Sequence, residues 1–488
     1  MLSRLTARHS SLSQFTTVSN CATHPQHDGN VRIIHGARRK LTGSRLKPKP
    51  STEVLRSPTA LSHENRFAEG RKNEYGSSYV ELTYVRNSDC AQDRPVKSLQ
   101  DVKDDMARSA SLTLREVSNL YPPLLEDAEH AANTLQLNPK FDGTTHDIPS
   151  RYLEDLPLDT LHRHFFAPVR HLVNGRAKVW RPYLFSLSLQ ALGADPDMFR
   201  PLMGGIELIH TGSLIVDDIQ DGTSIRRGVP AVHTQWGIPT AINAGAAAYF
   251  AFHTAVQSIP GLTPEKMLGL MHIYFEMMRL GHIGQALDIA GQQRSLLSDI
   301  VAGRAGPDAL EKSILAIHRL KTGVFSSHVA KMAALLANAS AAQTQALADH
   351  WECVGIAHQI LDDVEDIRRA LPSQENQEQD DRARAVKRHS SDIQAGKINI
   401  PLARAGSLMP LSEAQWVWET VLNRPEDGTA IQRVFDLLES YEVIDGCISD
   451  ARAMVRESWR HLDYYLPDSQ AKDDLYALSW YMAEYKHV

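Results

Sequence analysis

From residue 151 onward the chain is written almost wholly in helical periodicity. Twice that pattern runs into a knot of carboxylates, LIVDDIQD at 214–221 and LDDVED at 361–366. Stretches rich in Ala, Leu, Met and Ile lie between Gly- or Pro-containing breaks: GADPD at 193–197, IPGLTP at 259–264, AGRAGPD at 302–308 and NRPEDG at 423–428. Apolar residues recurring every three to four positions specify helices, and Gly and Pro mark their ends. Strand-like alternation is scarce, so the expected fold class is an all-α bundle. With 488 residues, 42% of them hydrophobic, a large core can be buried.

Residues 1–97 differ from the rest. Ten Lys or Arg stand against two acids, Asp28 and Glu53, in residues 1–60, and the first 27 residues hold no acid. That composition suits a disordered basic tail or an organelle transit peptide. The compartment is therefore expected to be cytoplasmic, or mitochondrial or otherwise organellar if the tail is a transit peptide. Residues 98–150 read as a helical extension broken by YPP at 121–123, and 151–488 as the main domain. A polar stretch at 370–392 reads as a long surface loop. A net charge of −6 gives no global footprint for nucleic acid. No uninterrupted apolar run reaches the ~18–20 residues of a membrane span. The scattered Cys21, Cys90, Cys353 and Cys447 argue for a reducing compartment and against a disulfide framework.

On a helix, Asp217 and Asp221 share a face, with Asp218 beside them. Asp362 and Asp366 repeat the arrangement, with Asp363 alongside and Gln359 three residues earlier. Like charges at this spacing destabilise a helix by roughly 0.2–0.5 kcal/mol, which a cation would relieve. One such cluster is most often a solvated face. Two with identical spacing, each behind an apolar run, favour a site. Mg²⁺ prefers oxygen ligands and is usually held by one or two carboxylates plus substrate phosphates. Opposed clusters therefore suit a diphosphate gripped through Mg²⁺. Neither cluster has the glycine and terminal glutamate of a calcium-binding EF-hand loop.

Cationic candidates complete the set. Arg226 and Arg227 follow the first cluster, before Gly228 and Pro230. Lys178 and Arg181 lie three apart, on one face if helical. LKTG offers Lys321 and Thr322, GQALDI offers Gln285 and Asp288, and GKINIP offers Lys397. Together they exceed the needs of one diphosphate. His210 stands two helical turns before Asp217, roughly 10 Å away, where a second anion could sit.

The ordered series GRAKVWRP, DDIQDGTSIRRG, GQALDI, KTG, HQILDDVEDI and GKINIP, from about 155 to the end, resembles the trans-isoprenyl diphosphate synthase family. The resemblance implies an isoprenoid synthase-type helical bundle around a central cavity, usually as a homodimer. It implies that Asp217, Asp218, Asp221, Asp362, Asp363 and Asp366 hold three Mg²⁺ on an allylic diphosphate, with Asp288 as a further metal ligand. Arg226, Lys321 and Lys397 would contact that diphosphate, and Lys387 of the polar loop would add a further contact. Lys178, Arg181, His210 and Arg227 would bind isopentenyl diphosphate. Gln285, Asp288, Thr322 and Gln359 would line the reacting end.

Three departures stand out. Arg176 and Ala177 replace family glycines, Val179 replaces an arginine, and His358 replaces a phenylalanine before the glutamine. Residues four and five before Asp217 are Ser213 and Gly212, where aromatics in the family form a floor that stops growth at C15. With small residues there, and Gly205 further along, the shaft is expected to stay open for C20 or longer products. Ile209, Tyr249, Tyr274 or Phe275 are candidates to close it. The alternative expectation is a class I terpene synthase, or a prenyltransferase with a different acceptor, on the same fold.

Overall fold

The computed structural model describes residues 97–127, 130–131, 134, 140–141, 144–145, 155–291, 293–371, 392–425 and 427–484. All fall in one unit spanning 90–488. The tail expected over 1–97 lies, apart from Lys97, outside the described residues, as do most of the polar loop and Lys387.

Among the described residues, strand is confined to two short antiparallel hairpins, β1 (Lys140–Phe141) with β2 (Thr144–Thr145) and β3 (Ile225–Arg226) with β4 (Val229–Pro230). The rest of the regular structure is helical. The principal helices are α1 (Leu99–Leu120), α2 (Ala167–Val173), α3 (Trp180–Ala191), α4 (Arg200–Asp221), α5 (Ile238–Gln257), α6 (Pro264–Ala290) and α7 (Ala309–His318). They continue with α8 (Val324–Leu336), α9 (Ala341–Ala370), α10 (Ile400–Leu408), α11 (Leu411–Leu422), α12 (Gly428–Ser440), α13 (Val443–Asp463) and α14 (Gln470–Glu484).

Local chemistry sets the ends of the helices that carry the site. Ser340 caps α9 in a reciprocal box with Gln343, so two backbone N–H groups that lack helical partners are satisfied. Thr263 caps α6 ahead of Pro264, and Gly291, in the left-handed region at φ 57°, closes it. Gly222 at φ 67° ends α4 in the same way.

Helices α4 and α5 pack on each other along a seam of small residues. A Cβ at Gly212 would lie 2.6 Å from the Gly245 carbonyl oxygen, and one at Gly205 would lie 2.9 Å from the Ala255 Cβ. Helix α1 covers the other side of α4, where a Cβ at Gly204 would meet the Glu116 backbone at 2.8 Å. The segment that sequence read as an extension is thus packed into the body through Val102, Met106 and Val117. Helix α9 is the central rod, flanked by α8 and α13, and α3 joins the two halves by touching α4, α8 and α14.

A candidate diphosphate-binding active site

Helices α4 and α9 bring their carboxylates to one cavity of about 760 Å³. Asp217 and Asp221 line it from α4, and Asp362, Asp363 and Asp366 line it from α9. The first cluster occupies the last turn of α4, where the helix dipole disfavours negative charge. A sequence that breaks this local rule must recover the energy elsewhere, and the recovery is cationic. Arg226, returned by the β3–β4 hairpin, reaches Asp218 at 2.6 Å and Asp217 at 3.6 Å. Gln285 of α6 donates to Asp217 at 2.9 Å.

Two of the expected carboxylates do not line the cavity. Asp218 is fully buried behind it, anchoring Arg226. Asp288 is the shared partner of Lys321 at 2.6 Å and Lys397 at 3.1 Å. Burial opposes its ionisation, but the two ammonium groups outweigh that and hold it below the usual carboxylate range. Lys321 also lies 3.5 Å from Asp217, so it faces the cavity between α4 and α6. It sits on a π-helical turn, Arg319–Gly323, between α7 and α8, a geometry frequent at functional sites. Thr322 on that turn donates to Gln359 of α9 at 3.2 Å, and Gln359 donates to Asp363 at 3.3 Å.

A second cationic group lies on the same cavity. Arg181 is sandwiched 4.4 Å above the Trp180 ring and 5.3 Å from Phe325. Burial, with no carboxylate within hydrogen-bond reach, brings it down to about 10, and its buried Nε has no partner among the described residues. A guanidinium held this way calls for an anion. His210 accepts from Arg181 at 3.2 Å. Burial first, then the charge of Arg181, drives His210 well below its ordinary value, so it is neutral. Arg227 and Lys178 complete the group. The expectation that Lys178 and Arg181 share a helix face fails. Val179 takes the left-handed region at φ 50°, which leaves Lys178 in the preceding loop while Arg181 opens α3.

Apolar side chains share the lining: Ile209, Met277, Met278 and Phe325, with the ring of Tyr249. Ser213 lines it too, its hydroxyl already donating to the His210 carbonyl at 2.8 Å. The expectation for the glycines needs correction. Gly212 and Gly205 face α5, so their smallness serves helix contact and not an open shaft. Tyr274 is buried, stacking on Phe252 and donating to the Tyr249 carbonyl at 2.8 Å, whereas Phe275 is half exposed. Of the candidate closing residues, Ile209 and Tyr249 line the cavity.

The donor set fits a hard divalent cation. It is all oxygen, from Asp217, Asp221, Asp362, Asp363 and Asp366. Burial, and then the charge of Asp392, push Asp366 up to about 7; Asp363 is raised well above its ordinary value for the same reasons. Among the described residues, no three acidic, His or Cys side chains form a ready-made metal cage.

Two residues of this region escaped the sequence reading. Asp392 lines the cavity; its backbone N–H donates to Asp366 at 2.6 Å, and its carboxylate accepts from Asn399 at 3.2 Å. Its signal was its place five residues before Lys397, hidden at the end of the polar loop. His318 lies 3.3 Å from Asp363 and had no signal beyond standing three residues before Lys321. Departing His358 packs edge-on to Trp180 and lies 3.7 Å from Asp362.

Comparison with known proteins identifies the family and the fold. The polyprenyl synthetase family pattern matches residues 162–438. A short chain isoprenyl diphosphate synthase of Methanothermobacter thermautotrophicus is 28% identical over 69% of this chain and 93% of its own. A geranylgeranyl diphosphate synthase of Methanosarcina mazei is 31% identical over 44% of this chain and 62% of its own. Among solved structures, a geranylgeranyl pyrophosphate synthetase from Pyrococcus horikoshii superposes with a TM-score of 0.59 at 23% identity, covering 80% of this chain and 99% of that one. One from Geoglobus acetivorans gives 0.55 at 26% identity, covering 68% and 95%. The chain belongs to the polyprenyl synthetase family and is a prenyltransferase with its all-α fold.

Proposed function

We propose that the protein is a Mg²⁺-dependent trans-prenyltransferase that condenses isopentenyl diphosphate with an allylic prenyl diphosphate to give a product of C20 or longer. The observation that carries this reading is convergence: both carboxylate clusters and two cationic groups meet on one cavity that apolar side chains also line.

Arg226, Lys321 and Lys397 neutralise the allylic diphosphate on the carboxylate side. Lys178, Arg181 and Arg227 hold the second diphosphate, with His210 neutral beside them. Bound Mg²⁺ would supply Lewis-acid stabilisation of the leaving diphosphate, held by Asp217, Asp221, Asp362, Asp363 and Asp366. The allylic C–O bond breaks and its electron pair leaves with the diphosphate. The double bond of isopentenyl diphosphate forms the new C–C bond, and a proton is lost to the departing diphosphate. Ile209, Met277, Met278 and Phe325 exclude water that would quench the cation. Tyr249, on the cavity wall, is the residue that limits length in this reading.

The same reading includes a homodimer. Helices α5 and α6 leave Ile242, Phe250, Leu268 and Phe275 about half or more exposed, and exposed apolar side chains of this kind suit a protein interface. A second copy is the proposed cover.

The test is product chromatography with purified protein, farnesyl diphosphate, isopentenyl diphosphate and Mg²⁺. Products of C20 or longer are expected, with none after chelation. Hydrocarbon or alcohol formed from the allylic diphosphate alone would instead identify a cyclase, and an unconsumed farnesyl primer would refute the length.

A further inference from the structure

We propose that Glu207 is the positioning residue of the second anion site, holding Arg227 where it meets the diphosphate of the non-allylic substrate; this rests on the reading of that site given above. Glu207 is the one acidic residue of α4 before Asp217, in the apolar run LMGGIELIHTGSLIV, and it is 1% exposed. A carboxylate so placed is costly unless paired and hydrogen-bonded. Its Oε1 lies 2.8 Å from Arg227 Nη2. Thr211 closes the triangle, 3.4 Å from that oxygen and 3.3 Å from Arg227 Nη1.

The backbone shows why such an anchor is needed. Arg227 and Gly228 form the two-residue turn between β3 and β4, with φ of 53° and 78°. That turn suits Asn-Gly, and a long side chain at its first position is strained. The turn alone does not favour arginine, so the tertiary bonds of its guanidinium keep it there. Arg226, its neighbour, is anchored separately on Asp218, 2.6 Å away. Loss of Glu207 therefore leaves Arg227 only its longer bonds, to the Leu172 carbonyl at 3.4 Å and to Thr211 at 3.3 Å, while Arg226 keeps its carboxylate.

Charge points the same way. Glu207 lines the cavity with Arg181, Arg227 and Lys178. Three cations face one carboxylate, which leaves an excess for an incoming diphosphate while keeping two neighbouring guanidinium groups from repelling each other out of place.

The test is steady-state kinetics on the full chain, varying each substrate in turn, with K178A as the control for the site itself. E207L is expected to raise KM for isopentenyl diphosphate by about tenfold or more, the loss expected for a charged hydrogen bond. The KM for the allylic diphosphate and kcat should stay within about threefold, a split that general unfolding would not produce. E207Q, which keeps the acceptor oxygen, should restore most of the affinity. If E207L does not fold, E207D, one methylene short, should show the same split. Raised KM in K178A with none in E207L and E207D would overturn the role of Glu207 and leave the site standing. No effect in K178A as well would overturn both.

Discussion

Replacing Gly212 with alanine separates the two explanations of why that position is small. If Gly212 opened a shaft, an added methyl group would enter empty space and change product length alone. In the structure the methyl would lie 2.6 Å from the Gly245 carbonyl oxygen and 3.0 Å from the Ala248 Cβ, where ordinary contact begins at 3.4 Å. The obstacle is backbone, so α4 and α5 must separate. Overpacking of this kind costs about 1–3 kcal/mol. Alanine returns up to about 1 kcal/mol of helix propensity in any such position. Gly281 isolates that second effect, because a Cβ there meets nothing within 4 Å. G281A is therefore expected at or above wild-type stability, and G212A about 1–3 kcal/mol below G281A. Urea unfolding at fixed protein concentration measures both. G212A as stable as G281A would refute the packing argument and restore the open-shaft reading.

Other expectations follow from the same geometry. D217A and D362A should each lower kcat by about a hundredfold or more while leaving the helical circular dichroism intact, the scale on which lost transition-state charge stabilisation is felt; turnover near wild type in either would break the site. Ser213→Phe, adding an aromatic to the cavity wall, should shift chromatographed products toward shorter chains, and an unchanged product profile would remove that wall from the shaft. His350 is buried between Ser458 at 2.9 Å and Ser479 at 2.8 Å, and burial pulls it down to about 3. Between that value and the unfolded value of 6.5 the unfolded chain binds a proton that the folded chain does not, so this contribution is fully present above pH 6.5. It is lost on acidification by about 1.4 kcal/mol per pH unit. His350→Asn should flatten the slope of urea stability against pH in that window, and an unchanged slope would place the proton elsewhere.

What the sequence could reveal here depended on periodicity. Asp217 with Asp221, and Asp362 with Asp366, share faces because helix geometry repeats, and no tertiary information is needed to see it. The fate of Asp218 was not legible, because it depends on where the β3–β4 hairpin returns Arg226. Lys178 was misplaced by a single dihedral, the left-handed Val179, in a residue type that rarely adopts it. Gly212 was misread for a more general reason: an absent side chain announces that space is needed, but not on which side of the helix. The π-helical turn under Lys321 has no pattern of its own. Asp392 comes to Asp366 across 26 residues of chain, most of them in the polar loop, and only folding joins them.

The β3–β4 turn has one more implication. Adjacent arginines diverge from it to opposite stations on α4, Arg226 to Asp218 and Arg227 to Glu207. Eleven residues of helix separate those stations, about 16 Å along the axis. On the proposed reading, the gap between electrophile and nucleophile is thus ruled off against one stiff rod, and a loop elsewhere could lengthen or shorten without changing where the two substrates meet.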